Sequence, residues 1–299
     1  MEVFKQGDLI ADRYQVQGVL GQGGMGVVYL VMDQLAQQRL ALKTLLPQYV
    51  SNERAVQRFV REVKTVRQLD HPCIVKIHDA QKIGNLLYYT MDYVEGKSLH
   101  TWIQQRGRLG LGSTVRILSL LSHALEHAHQ YTIHRDISPD NVMVLADGNV
   151  KLLDFGLAKL TNTDQQFTMF GVSLGKAQYN SPEQRASAAD VDLRADIFSL
   201  GVMCFEMLSG EIPKLGQKLT ETVPGLPKEC DAFYTKATAS DRNDRFQNAN
   251  EFRVALGALY EKVAPKGAKA APQKGAEEQT AGGSVIRRAW SWLRSKLRW

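Results

Sequence analysis

A glycine-rich run, Gly21-Gln22-Gly23-Gly24-Met25-Gly26, lies between two segments that alternate apolar and polar residues, and this placement narrows the possible folds more than any other feature. Period-two alternation is the pattern of a half-buried strand. Residues 14–20 and 27–32 both read that way, so the glycines fall in the turn of an antiparallel hairpin. In a dinucleotide-binding fold, a similar glycine pattern opens a helix after a strand, so that fold is set aside. A glycine hairpin can lie close over phosphates and turn backbone N–H groups toward them.

The pattern continues with a third strand over 40–45 and then changes period. Val56, Phe59, Val60, Val63 and Val66 recur at helical spacing within 52–69, with Ser51 or Asn52 as cap and His71-Pro72 as the end. Strands follow at 74–80 and 86–93. From Ser98 onward the chain reads as mostly helical, over 98–106, 112–130, 193–209, 228–238 and 247–262. Short strands at 142–145 and 150–153 flank the turn Asp147-Gly148-Asn149. The expectation is an α+β fold of two lobes: a small β-rich lobe with one main helix, then a larger, mostly helical lobe. The hinge falls near residues 92–96, and a cleft between lobes is a favoured ligand position.

Composition excludes several classes. Apolar residues make up 44% and charged residues 23% of the chain, ordinary for a soluble globular protein. Cys73, Cys204 and Cys230 are far apart, which fits a reducing cytosol rather than a disulfide framework or zinc site. The first residues carry no signal-peptide pattern. The longest near-apolar stretch, 197–208, contains Ser199 and Glu206 and is shorter than the roughly 18 residues a membrane span needs, so it reads as a buried core helix. The net charge is +6, but Arg287, Arg288, Arg294, Lys296 and Arg298 supply most of it, so no basic nucleic-acid surface is expected on the rest.

The charged residues complete the reading. After the glycine loop come Ala41-Leu42-Lys43, Glu62, His134-Arg135-Asp136, Asn141 and Asp154-Phe155-Gly156, in that order. In this order and together, they resemble the catalytic motifs of a bacterial eukaryotic-like (Hanks-type) Ser/Thr protein kinase, over roughly residues 14–257. The lobes would then be about 14–94 and 95–257. The resemblance implies ATP held by Leu20, Gly21, Gln22, Gly23, Gly24, Met25, Gly26, Val27 and Val28 of the glycine hairpin. It implies Lys43 on the α- and β-phosphates, oriented by an ion pair with Glu62. Met91 would control the pocket behind adenine, and the backbone from Asp92 to Val94 would bind its edge. Asp136 would be the catalytic base or would orient the substrate hydroxyl. Asn141 and Asp154 would hold Mg²⁺, with Mn²⁺ as a substitute. Glu183 of Ser181-Pro182-Glu183 would pair with Arg245, and Asp196 would anchor the catalytic-loop backbone.

Two positions depart from the family. A lysine usually stands two residues after the catalytic aspartate; here it is Ser138. A threonine usually stands where this chain has Lys176. In the family those side chains meet across the active site, so the reading is a reciprocal exchange, with Lys176 returning the missing cation near the transferring phosphoryl. The activation segment, by position, is 157–181, with Thr168 the first candidate phosphosite and Ser173 the second; Arg135 could pair with such a phosphate. His123 and His127, four apart on a helix, lack an evident third metal ligand and read as surface or packing residues.

Residues 264–283 are Ala, Lys, Gly, Gln and Pro-rich and read as a flexible linker. Residues 284–299 plot as a basic amphipathic helix carrying Trp290, Trp292 and Trp299. Such a helix suits a membrane surface, a partner's groove or a return onto the kinase domain. The expected location is cytoplasmic, with peripheral attachment at the inner face of the cell membrane. The implied activity is ATP-dependent phosphorylation of protein Ser and Thr hydroxyls, including the chain's own activation segment. The alternative is a pseudokinase scaffold that binds nucleotide without transferring phosphate.

Overall fold

The computed structural model describes residues 4–23, 26–46, 50, 53–155, 176–186 and 190–263. The first lobe is a six-stranded antiparallel sheet of β1 (Leu9–Ile10), β2 (Tyr14–Gly23), β3 (Gly26–Asp33), β4 (Gln38–Leu45), β5 (Ile77–Ile83) and β6 (Leu86–Asp92). The spatial order is β1-β2-β3-β4-β6-β5. The glycine run is therefore the tip of the β2–β3 hairpin, with Gly23 paired to Gly26. Gly26 has a second constraint: a Cβ there would lie 1.8 Å from the Thr44 carbonyl oxygen on the neighbouring strand.

Strand alternation divides the lobe's apolar residues between two cores. Tyr14, Val16, Val27, Tyr29, Val31, Leu40, Leu42 and Tyr88 pack on one face. Ala41, Leu45, Leu87, Tyr89 and Met91 belong to the other, which continues into the helical lobe. Helix α1 (Glu53–Val66) covers this second face with Val56, Phe59, Val63 and Val66, all buried.

The helical lobe comprises α2 (Leu99–Arg106), α3 (Leu111–Ala128), α4 (Pro182–Ala186), α5 (Arg194–Ser209), α6 (Leu219–Thr222), α7 (Glu229–Ala237) and α8 (Ala249–Val263). Helix α5 is buried from Ala195 to Leu208, as expected of a core helix. Among the described residues no helix is long and apolar enough to cross a membrane.

A small sheet joins the lobes beneath the cleft. Its strands are β7 (Lys97–Ser98), β8 (Val142–Val144) and β9 (Val150–Leu152), in that order. The Val75 amide donates to the Leu152 carbonyl at 3.0 Å, and the Leu152 amide to the Cys73 carbonyl at 2.8 Å. These bonds tie the segment after α1 to β9, so Asp154 emerges directly under the first lobe. The strand expected at 74–80 lies instead at Ile77–Ile83, because the segment before it forms this inter-lobe stitch, while the strand expected at 86–93 is found at Leu86–Asp92. Strands β1 and β7 and helices α4 and α6 were not anticipated; each is five residues or fewer, too short for a periodic signal.

Candidate active site

The catalytic loop is built around one buried carboxylate. Asp196, in the first turn of α5, is wholly buried. Its oxygens accept from the backbone amides of His134 (2.9 Å) and Arg135 (2.8 Å) and from His129 Nε2 (2.8 Å). Burial alone would raise the Asp196 pKa, but the His129 bond and the neighbouring charges outweigh it and hold it below the usual value. Arg135 sits in the left-handed region at φ 64°. A non-glycine residue there costs on the order of 1–3 kcal/mol, and the two bonds to Asp196 offset it.

His134 then links this loop to the segment carrying Asp154. Its Nε2 lies 2.9 Å from the Leu153 carbonyl, and its Nδ1 accepts the Asp136 amide at 3.2 Å. This fixes a neutral tautomer with the proton on Nε2, and burial keeps the ring's pKa below its ordinary value. The Phe155 ring packs on the imidazole at 4.6 Å between centroids.

Two residue pairs occupy the cleft. Asn141 Nδ2 donates to the Asp136 carbonyl at 2.7 Å and to Asp136 Oδ2 at 2.9 Å, holding the carboxylate in place. This leaves the Asn141 side-chain oxygen as an acceptor. Lys43 Nζ lies 2.6 Å from Asp154 Oδ2, and the Tyr89 hydroxyl donates to Asp154 Oδ1 at 2.6 Å. Lys43 and Tyr89 face each other across β4 and β6, so their side chains share one face of the sheet. Burial, then the Asp154 charge, push the Tyr89 phenol well above its ordinary pKa, so it remains a donor. Asp154 itself has φ 46°, a second strained non-glycine backbone in the cleft.

One expectation is corrected here. The Lys43–Glu62 ion pair is not formed; Lys43 pairs with Asp154 instead. Glu62 is half-buried on α1, with no ion pair among the described residues. The physical reason is that Tyr89 and Lys43 between them hold both oxygens of Asp154, and the ammonium follows the nearer carboxylate.

The other predicted positions fall as follows. Met91 is buried in the core shared by the two lobes. The Asp92 amide donates to the Lys76 carbonyl at 3.0 Å and its carboxylate pairs with His78 at 2.7 Å, which fixes the start of the hinge. Leu20, Gly21, Gln22 and Gly23 are exposed at the hairpin, with Val27 buried and Val28 half-buried. Ser138 is buried, and its hydroxyl makes no hydrogen bond among the described residues. Gly24, Met25, Thr168 and Ser173 lie outside the described residues, as does the side chain of Lys176, whose backbone opens the short 3₁₀ turn Lys176–Tyr179.

That turn is anchored to the helical lobe. Ser199 Oγ donates to the Tyr179 carbonyl at 2.8 Å, and the Tyr179 hydroxyl donates to Glu206. Gln184 Nε2 donates to the Arg135 carbonyl at 2.8 Å. Glu183 forms a bidentate pair with the fully buried Arg245 at 2.7 and 2.8 Å. These bonds bring the end of the activation segment against the catalytic loop.

A protein kinase domain model matches residues 14–262. This chain belongs to the protein kinase family. The kinase domain is 33% identical over 271 residues to serine/threonine-protein kinase PrkC of Bacillus subtilis, covering 85% of this chain and 42% of that protein. It is 34% identical over 281 residues to serine/threonine-protein kinase PknB of Mycolicibacterium smegmatis, covering 87% of this chain and 45% of that protein. The chain therefore spans less than half the length of these curated relatives. Among solved structures it is similar to the PknI kinase domain of Mycobacterium tuberculosis, with a TM-score of 0.73 and 30% identity over 86% of this chain and 100% of that one.

Sequence reasoning about the kinase site missed Tyr89. Its position two residues before Met91, on the same face of the strand, was an available signal. It also missed His71, which lies 2.7 Å from His123 Nδ1 and stacks on His127 at 5.7 Å. Among the described residues no three His, Cys, Asp or Glu side chains cluster as a metal site.

Proposed function

We propose that this chain is a serine/threonine protein kinase that transfers the γ-phosphoryl of ATP to protein hydroxyls, its own activation segment included. The observation that carries this reading is the convergence of Lys43, Asp154, Asp136 and Asn141 on one cleft, in two hydrogen-bonded pairs. In the reaction, Lys43 leaves Asp154 and holds the phosphates, while the glycine hairpin covers them. Asp136, held by Asn141, accepts a hydrogen bond from the attacking hydroxyl and orients it for in-line transfer. Asp154 and the Asn141 oxygen are hard oxygen donors and suit Mg²⁺ or Mn²⁺. The metal, when bound, neutralises charge on the β- and γ-phosphates.

The Ser138–Lys176 exchange belongs to this proposal. Ser138 presents a buried hydroxyl without a partner among the described residues, which is unfavourable by about 1–3 kcal/mol. An ammonium from Lys176 would satisfy it and restore the missing positive charge beside the γ-phosphoryl. The basic helix at 284–299 is proposed to rest in the plane of an anionic membrane, on the tether 264–283, keeping the kinase at the cytoplasmic face. Cosedimentation with phosphatidylglycerol vesicles, lost when 284–299 are removed, is the expected result.

Phosphopeptide mapping after incubation with Mg-ATP tests the hydroxyl specificity. Phosphate on Ser and Thr, Thr168 first among them, is the expected outcome; phosphate on Tyr alone would overturn it.

A further inference from the structure

The catalytic reading gives the Tyr89 hydroxyl no role, yet it bonds the carboxylate of Asp154. It is not placed there by chance packing alone. Its ring is buried against Phe59 of α1, with centroids 6.0 Å apart, and its strand position pairs it in register with Lys43. The ring thus has two walls, the helix and the strand, and its hydroxyl reaches Asp154 Oδ1 at 2.6 Å. The opposite oxygen, Oδ2, is the one bound by Lys43. The two oxygens of Asp154 are therefore distinguished by their partners. One partner is a flexible ammonium that can move to phosphate; the other is a phenol fixed by packing.

Building on the kinase reading, we propose that Tyr89 is a positioning residue for the metal-binding carboxylate. It holds Oδ1, so that Oδ2, once released by Lys43, would be the oxygen offered to a metal. A carboxylate that already has one oxygen held loses less freedom on binding a metal, and its backbone strain at φ 46° is kept in place by a bond from outside its own segment. Outer partners of this kind typically alter metal affinity by about 10- to 100-fold when removed.

The test is direct metal binding by the full chain. Mn²⁺ is titrated in the presence of a saturating non-hydrolysable ATP analogue, and free Mn²⁺ is read by electron paramagnetic resonance. Nucleotide affinity without metal is measured in parallel. Tyr89→Phe keeps the ring and removes the donor; Tyr89→Met fills the same space without a donor and serves if the first variant fails to fold. The proposal expects about tenfold weaker Mn²⁺ binding in either folded variant, with metal-free nucleotide affinity within about twofold of the unmodified chain. Unchanged Mn²⁺ affinity in the variants, beside an unmodified chain that binds, overturns the role of Tyr89 alone. Equal weakening of metal-free nucleotide binding also overturns it, because that would mark a packing effect. An unmodified chain that takes up neither nucleotide nor Mn²⁺ overturns the kinase reading together with it.

Discussion

Lys43 Nζ and Asp154 Oδ2 lie 2.6 Å apart, so the cation assigned to the phosphates and the carboxylate assigned to the metal neutralise each other across the cleft. Both side chains are mostly buried, 15% and 23% exposed, which makes their mutual attraction stronger than that of a surface pair. Binding of a nucleotide with its metal has to replace this contact with two others of the same sign pattern. The Lys43–Asp154 pair is thus charge-balanced before ATP arrives.

Replacing Lys43 with Ala removes the phosphate contact while the Tyr89 bond to Asp154 stays. Phosphoryl transfer is expected to fall at least about a hundredfold, the scale for loss of a preorganised charge contact. Steady-state kinetics at saturating ATP measure it; a fall in ATP affinity without a fall in turnover would show that Lys43 acts only in binding.

Asp196 is the anchor of the catalytic loop, and Asp196→Asn places an amide donor against one of the amide or imidazole donors it now accepts. The cost of such a buried mismatch is about 1–3 kcal/mol, and more where the group was charged. Thermal unfolding is expected at a temperature lower by roughly 5 °C. The mismatch loosens the loop that carries Asp136, so activity is expected to fall further than stability alone explains.

The histidine cluster gives a pH dependence. Burial, followed by the charges of His123, His127 and Lys151, lowers the His71 pKa from 6.5 to about 4. Between those values the unfolded chain binds a proton that the folded chain refuses, so stability rises with pH across this window and is lost as pH falls from 6.5 toward 4. His123 is displaced in the same direction, chiefly by burial. His71→Gln is expected to reduce the drop in melting temperature between pH 7 and pH 4.5 by roughly 3 °C. An unchanged slope would locate the acid sensitivity elsewhere.

Ser138 and Lys176 yield a reversal experiment. Lys176→Ala is expected to lower turnover by about a hundredfold. Combining Ser138→Lys with Lys176→Thr restores the family's arrangement and is expected to recover most of it. Full activity in Lys176→Ala would remove the exchange from the mechanism.

Much of this molecule was readable from patterns of residue spacing. The alternation around the glycines marked the hairpin because Tyr14, Val16, Val27, Tyr29 and Val31 share one buried face of the sheet, and Val56, Phe59, Val63 and Val66 marked α1 because the helix buries one stripe. The Asp196 anchor and the Arg245–Glu183 pair were legible through the resemblance, since each is a charged residue at a position the motifs mark. The partner of Lys43 was not. Whether it meets Glu62 or Asp154 depends on a few ångströms of placement between α1, β4 and β9, which no local pattern encodes. Tyr89 was hidden for a related reason. A tyrosine on the inner face of a strand satisfies the core with its ring, and its hydroxyl's destination is set by a residue 65 positions later. His71, similarly, meets His123 across 52 residues.

Intact mass spectrometry of the phosphatase-treated chain, before and after Mg-ATP, tests the central claim most directly. The unmodified protein is expected to gain phosphate in steps of about 80 Da, the mass of one phosphoryl group, while Asp136→Asn and a sample with the metal chelated gain none. Nucleotide binding without any mass gain, on itself or on an added protein substrate, would contradict the account and leave a nucleotide-binding scaffold in its place.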